Sequence, residues 1–499
     1  MQANRLEPVL DPHALARTLS NKLLIDGAMV PAVSGKTFPV VNPATLQPVA
    51  EAAAGAAGDV EVAVAAAVKA QKAWAALAPR ERGRLVQDCG RLLNDHVEEL
   101  ARLVTLETGK AIRTESRVEA AVFADILVFY GGLGSELKGE SVPFKPGSIT
   151  LTQREPIGVV GAIIPWNVPL LLMALKIAPA LVAGNAVVVK SAEEAPLSVL
   201  RACQVMNQVL PPGVLNILSG DGPECGAPLA AHKRVGKVSF TGSVETGKIV
   251  YKLAAEKLIP VTLELGGKSP MIVMGDADLD KAVEGAVIGM RFTRQGQSCT
   301  AASRIFVHES IHDAFIERLR SKVDAMKMGD PLDEATDIGA IISKPQYDKV
   351  ASYIRLGEAT AGATAIRCSA MPKDQKLARG YFVQPVIFTG IANDNRLARE
   401  EIFGPVTCII KFKDYDDAIR QANDSDYGLA ATIWTRDLRT ALDATQRLEA
   451  GLVQVNQNLV VQANMSYGGV KQSGLGKEGS LEAMLEHFTL KKTIIINLG

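Results

Sequence analysis

The sequence predicts an α/β protein with mainly parallel sheets, and three observations carry that prediction. Two short apolar, β-branched runs, IGVVGAII (157–164) and AVVVK (186–190), flank an apolar helical stretch that starts near Pro169. Strands apolar on both faces and joined through a helix belong to a parallel sheet covered on both sides. The alternation continues through KVSF (237–240), VTLEL (261–265) and MIVM (271–274), with helical patterns between them. A chain of 499 residues also exceeds what one hydrophobic core supports, so two or three domains are expected.

Near the start, Arg5, Glu7, Asp11 and Arg17 are mixed with isolated apolar residues, without the continuous apolar segment of a secretory signal. Helical patterns rich in Ala and Leu cover 59–77 and 82–108, the second stopped by Gly109. From Ile157 to Val189 the only formal charge is Lys176, and the stretch is long enough to cross a bilayer. Pro165, Asn167, Pro169 and Pro179 would interrupt such a helix repeatedly, so no membrane partner is expected. At the far end TIIINL (493–498) is an apolar strand that would aggregate if left unpaired, and it is expected to pair with another subunit or another segment.

Composition narrows the partner further. The 54 Lys+Arg balance 54 Asp+Glu, which gives no electrostatic reason to expect nucleic acid or an anionic membrane. The ligand should therefore be small. Six cysteines, at 89, 203, 225, 299, 368 and 408, are scattered without a C-x-x-C pair and form no disulfide framework. A cytoplasmic protein in a reducing compartment is expected, with no metal site.

The candidate chemistry centres on Cys299 in TRQGQSCTA, a stretch of small and amide-bearing residues unlike a core strand. A nucleophilic cysteine needs a route to the thiolate, donors for the oxyanion it creates and an acceptor for what leaves. Glu264 ends an apolar strand just before Gly266 and Gly267, at the carboxyl edge where α/β ligand crevices lie. Asn167 sits between prolines in the turn after a buried strand, where its amide N–H is able to face a developing alkoxide. In FTGSVETG, Gly242 and Gly247 bracket a strand-to-helix turn that suits phosphate, although it is not the G-x-G-x-x-G fingerprint. Lys190 and Glu193 lie at another strand end. Locally each has a plainer reading: a buried small hydrophobe for Cys299, a solvated strand end for Glu264, a self-bonded turn amide for Asn167 and a surface charge pair for Lys190 and Glu193.

Together the blocks say more than any of them alone. PWNVPL (165–170), VVVKSAEEAPLS (187–198), PPGVLNILSG (211–220), VSFTGSVETG (238–247), LELGGKSP (263–270), GQSCTA (296–301), EEIFGPV (400–406) and SYGGVKQSGLGKEG (466–479) resemble the aldehyde dehydrogenase superfamily in order and spacing, and the similarity begins near VNPAT (41–45). The resemblance implies that Cys299 attacks an aldehyde. The oxyanion would then be held by the Cys299 backbone N–H and the Asn167 amide, and hydride would leave to nicotinamide. A thioester remains on Cys299, for which Glu264 activates water, and Glu478 matches a second acidic position linked to proton relay. The presence of Glu264 argues against CoA-acylating or reductase variants of the family. Cys299, Glu264 and Asn167 together argue against a non-catalytic binding or structural relative.

The same resemblance implies a cofactor site of Ile164, Pro165, Trp166, Lys190, Glu193, Phe240, Gly242, Ser243, Gly247, Leu265, Gly266, Glu401 and Phe403. A carboxylate at Glu193 would bond the ribose hydroxyls and repel a 2′-phosphate, which favours NAD over NADP. Val168, Leu172, Thr293, Val461 and Tyr467 would line an open apolar tunnel for an aliphatic, terpenoid or aromatic aldehyde. An inward Arg291 or Arg294 would instead select a carboxylate-bearing semialdehyde. The implied fold is a Rossmann-like NAD-binding domain (20–135 and 156–264), an α/β catalytic domain (265–480) and a small β oligomerisation arm (136–155 and 481–499). The arm and the tail strand would pair across subunits in a homodimer or homotetramer.

Overall fold

A computed structural model describes residues 11–458 and 462–499. Two sheets organise the chain. The first has eight strands, ordered in space Ala28–Val30, Leu23–Ile25, Leu215–Leu218, Ala186–Lys190, Val159–Ile163, Lys237–Thr241, Val261–Glu264 and Gly474–Leu475. Five of its six inner strands, all but Leu23–Ile25, are mutually parallel and almost wholly buried, as their unbroken apolar sequences require. From Val159–Ile163 the chain winds outward in one direction through 186–190 and 215–218, then returns to add 237–241 and 261–264 on the other side. This reversal between Ile163 and Phe240 is a topological switch point, where the strand ends open a crevice.

The second sheet runs Thr364–Arg367, Val386–Thr389, Val406–Phe412, Arg304–His308, Pro270–Val273, Ala430–Trp434 and Leu452–Val455, parallel except for the 364–367 edge. The predicted helix 82–108 is two helices, Pro79–Asn94 and Val97–Thr108. The break falls at Asp95 and His96, both weak helix formers. Gly109 ends the second at φ 74°, and a Cβ there would lie 2.7 Å from Pro43, so the stop depends on glycine. Pro169 opens the helix Pro169–Val182, which carries Pro179 inside it and is buried along its whole length. The helical run Ile112–Glu136 has the length and apolarity of a membrane span. It buries Phe123, Ala124, Leu127 and Tyr130 in the same core as the 169–182 helix.

The tail strand Thr489–Asn497, expected to pair with another subunit or another segment, pairs antiparallel with Ser148–Pro156 of its own chain. Ile495 and Ile496 are left exposed on it. The helix Leu481–His487, expected in the arm, inserts Met484 into the core of the first sheet's helical layer, with Phe488 beside it. The short strand Gly474–Leu475 closes the edge of the first sheet on Val261–Glu264.

Candidate active site

Cys299 lies in an irregular segment between the helix Leu279–Met290 and the strand Arg304–His308. Arg291, Gln295 and Gly296 all have positive φ. A Cβ on Gly296 would collide with the Gly404 carbonyl, so this coil closes against the 401–405 loop only with glycine. Cys299 is half-buried while the other five cysteines are buried. Its Sγ lies 3.3 Å from the Tyr467 hydroxyl. Burial pushes the thiol up to about 11, and the Tyr467 hydrogen bond acts in the opposite direction.

Asn167 is buried in the turn after Val159–Ile163, and its Nδ2 donates to the Gln297 carbonyl at 3.2 Å, two residues from the cysteine. The turn is clamped from beneath. Lys110 Nζ donates to the Asn167 carbonyl at 2.8 Å and forms a buried ion pair with Glu119, whose other oxygen accepts from Leu170 N at 2.9 Å. Sequence reasoning missed this clamp; the signal was the lysine directly after the helix-stopping Gly109.

Glu264 is 2 % exposed, and neither carboxylate oxygen has a hydrogen-bond partner. It faces Gly468, where a Cβ would come within 2.5 Å of Oε1. Burial and the Glu478 charge push its carboxyl well above the ordinary value, opposed by Lys176 and Lys477. Glu478 is buried rather than on the surface. Its Oε1 accepts from Lys176 Nζ at 2.7 Å and from Ser239 Oγ at 2.8 Å. Lys176, which the sequence marked only as a lone charge in an apolar run, thus has its partner 302 residues away.

Ten predicted residues line one cavity of about 220 Å³ at the switch point: Pro165, Trp166, Asn167, Gly242, Ser243, Leu265, Gly266, Cys299, Glu401 and Phe403. Thr241, Gln346 and Lys349 also line it and were missed. Gln346 donates to the Ile402 and Phe403 carbonyls at 3.1 and 2.9 Å, holding Phe403 at φ 57° with its ring edge-on to Trp166. Glu401 accepts from Gly267 N at 2.9 Å. Ser243 caps the helix Val244–Ala255, exposing that helix's N-terminus at the mouth.

The other predicted cofactor positions are not on the cavity wall. Ile164 N donates to the Lys190 carbonyl at 3.1 Å, joining two strand ends. Phe240 packs beneath Gly242, and Leu265 packs beneath Gly247. Lys190 and Glu193 form an ion pair at 3.1 Å farther along the sheet edge.

Of the predicted tunnel residues, Val168, Leu172 and Tyr467 are buried, and Thr293 bonds the Glu115 carboxylate. Val461 lies outside the described residues. Arg294 is engaged by Glu115 at 2.8 Å through Nε. Against the upward push of burial, Arg294 holds the Glu115 carboxyl below its ordinary value. Arg291 lies beside Cys299 and Tyr467, pushed down to about 10 by burial.

Fold and site together define a two-sheet α/β enzyme with a cysteine facing a switch-point crevice. A sequence model of the Aldehyde dehydrogenase family matches residues 29–494, and the chain belongs to that family. It is 42 % identical over 476 residues to a betaine aldehyde dehydrogenase of Brucella melitensis, covering 95 % of this chain and 97 % of that protein. Among solved structures it resembles the NAD+ complex of an aldehyde dehydrogenase from Bacillus cereus (37 % identity, TM-score 0.92, 96 % of this chain and 97 % of that one). It also resembles the NAD+ complex of betaine aldehyde dehydrogenase from Staphylococcus aureus (36 % identity, TM-score 0.94, 98 % and 97 %).

Proposed function

We propose that the protein oxidises an apolar aldehyde to its carboxylic acid with NAD. One observation carries the reading: the only half-buried thiol shares a single crevice with the Asn167 amide and with Ser243, Glu401 and Phe403. Cys299 thiolate attacks the carbonyl carbon, and the oxygen that gains charge is held by Asn167 Nδ2 and the Cys299 N–H. NAD, when bound, supplies the hydride acceptor. Glu264 then takes a proton from the water that cleaves the thioester. Its carboxylate faces Gly468, so it turns toward Cys299 to act.

The residues present fit the cofactor. A Cβ at Gly266 would collide with the Glu401 carboxylate, so glycine keeps that floor open. The exposed helix N-terminus at Ser243 suits a pyrophosphate. A cavity of about 220 Å³ is below the usual ligand-pocket range of about 300–1,000 Å³. Its residues would hold the nicotinamide end, and Lys190 and Glu193, on the open edge, would hold the adenosine ribose. Glu193 supports NAD over NADP.

For the aldehyde, Val168 and Leu172 support an apolar substrate; the engagement of Arg294 by Glu115 takes that arginine away from a substrate carboxylate, while Arg291, beside Cys299 and Tyr467, supports a carboxylate-bearing semialdehyde as the alternative. The relatives' names favour a second reading, a quaternary-ammonium aldehyde. Such cations are usually held by several aromatic faces, and Tyr467 is the only aromatic among the predicted tunnel residues. The first sheet with its helices is the proposed NAD-binding unit and the second the catalytic unit. The exposed ribbon 148–156/489–497 is the proposed contact of a homodimer or homotetramer, in the cytoplasm. The test is reduced-nicotinamide formation with NAD across hexanal, citral, benzaldehyde, succinic semialdehyde and betaine aldehyde, without CoA. Turnover confined to the first three supports the reading, and preference for either of the last two replaces the substrate assignment.

A further inference from the structure

We propose that the Tyr467 hydroxyl donates a hydrogen bond to the Cys299 thiolate and thereby sets how readily the nucleophile forms. The proposal rests on the reading of Cys299 as nucleophile and goes beyond the wall position that the sequence assigns to Tyr467. Sγ and the hydroxyl oxygen are 3.3 Å apart, a hydrogen-bonding distance for sulfur. With a neutral thiol either partner is able to donate, but a thiolate only accepts, so on ionisation the tyrosine must be the donor.

The phenol is rigidly presented. Tyr467 is 3 % exposed, and its backbone makes two hydrogen bonds with Glu478, at 2.8 Å from N and 2.7 Å to O. The next residue, Gly468, packs against the Glu264 carboxylate. One short segment therefore touches the nucleophile with one residue and the candidate base with the next. Tyr467 does not itself take the thiol proton. Burial and the charges of Cys299 and Glu264 hold its phenol well above the ordinary value, so it stays protonated while the thiol ionises. Phenylalanine would fill the same wall; only the hydroxyl distinguishes the two.

The test compares the full-length protein with its Tyr467→Phe variant, measuring Cys299 alkylation by iodoacetamide against pH, with peptide mass analysis and no cofactor or aldehyde present. The other five cysteines are buried, so the reaction reports Cys299. A hydrogen bond to a charged group predicts that removing the hydroxyl raises the thiol's midpoint by about one unit or more, slowing alkylation about tenfold at a pH below both midpoints. The aldehyde reaction should show a matching fall in kcat/KM with NAD affinity unchanged. A folded Tyr467→Phe protein, with the wild-type thermal midpoint and an unshifted alkylation profile, overturns the proposal. Because alkylation needs no turnover, a silent aldehyde panel rejects the proposed function while leaving this readout intact.

Discussion

Replacing Glu264 with glutamine separates the two halves of the proposed reaction. The side chain keeps its size in a site where both carboxylate oxygens are buried and unpartnered, so packing is preserved. Loss of a positioned general base costs about 10²–10⁴ in rate. That cost falls on thioester hydrolysis, since Cys299, Asn167 and the cofactor crevice are untouched. Rapid mixing with NAD and aldehyde should show one burst of reduced nicotinamide per Cys299, followed by a steady rate about 10²–10⁴ below wild type. Stability gives an independent readout. The folded protein binds the Glu264 proton more tightly than the unfolded chain, because burial and the Glu478 charge raise its carboxyl. That contribution is complete below the ordinary carboxyl range and is lost as pH rises through the folded value, at about 1.4 kcal/mol per unit of displacement. Glutamine does not titrate, so the thermal midpoint of Glu264→Gln should gain on wild type as pH increases. A variant with wild-type steady-state turnover and no burst removes Glu264 as the base. A constant midpoint difference across pH removes the raised carboxyl.

Two further substitutions probe the crevice and its support. Glu193→Ser takes away the carboxylate beside Lys190, and the ratio of kcat/KM with NADP to that with NAD should rise about tenfold or more, measured by steady-state kinetics. Glu119→Ala strands Lys110 as a buried cation and leaves Leu170 N unpaired. It should destabilise the protein by about 3–5 kcal/mol in denaturant melts. A Lys110→Met/Glu119→Leu double variant should recover most of that stability while kcat stays low, since Asn167 has still lost its clamp.

Much of the fold was legible because parallel strands buried on both faces leave continuous apolar runs. The strands at 159–163, 186–190, 237–241 and 261–264 fall within a residue or two of where IGVVGAII, AVVVK, KVSF and VTLEL put them. What failed to show were consequences of tertiary contact. The break at Asp95–His96 interrupts a pattern whose Ala and Leu content runs on past it. The tail strand's partner lies more than 300 residues earlier, and nothing local to TIIINL distinguishes its own chain from a second copy. In the site, motif positions such as Asn167, Glu401 and Phe403 were readable. The buried charges around them were not: Lys110, Glu115 and Glu119 sit in helices or turns that read locally as ordinary surface, Lys176 showed only as a lone charge in an apolar run, and only packing reveals that all four are buried and paired.

The decisive measurement is intact mass analysis of the Glu264→Gln protein after exposure to NAD and an aldehyde that the wild type oxidises. Cysteine-based oxidation requires an acyl group, the aldehyde less one hydrogen, on Cys299 in amounts matching the reduced nicotinamide formed, and its disappearance when Cys299→Ala is added. Reduced nicotinamide without an adduct, or an adduct that persists in Cys299→Ala, would contradict it.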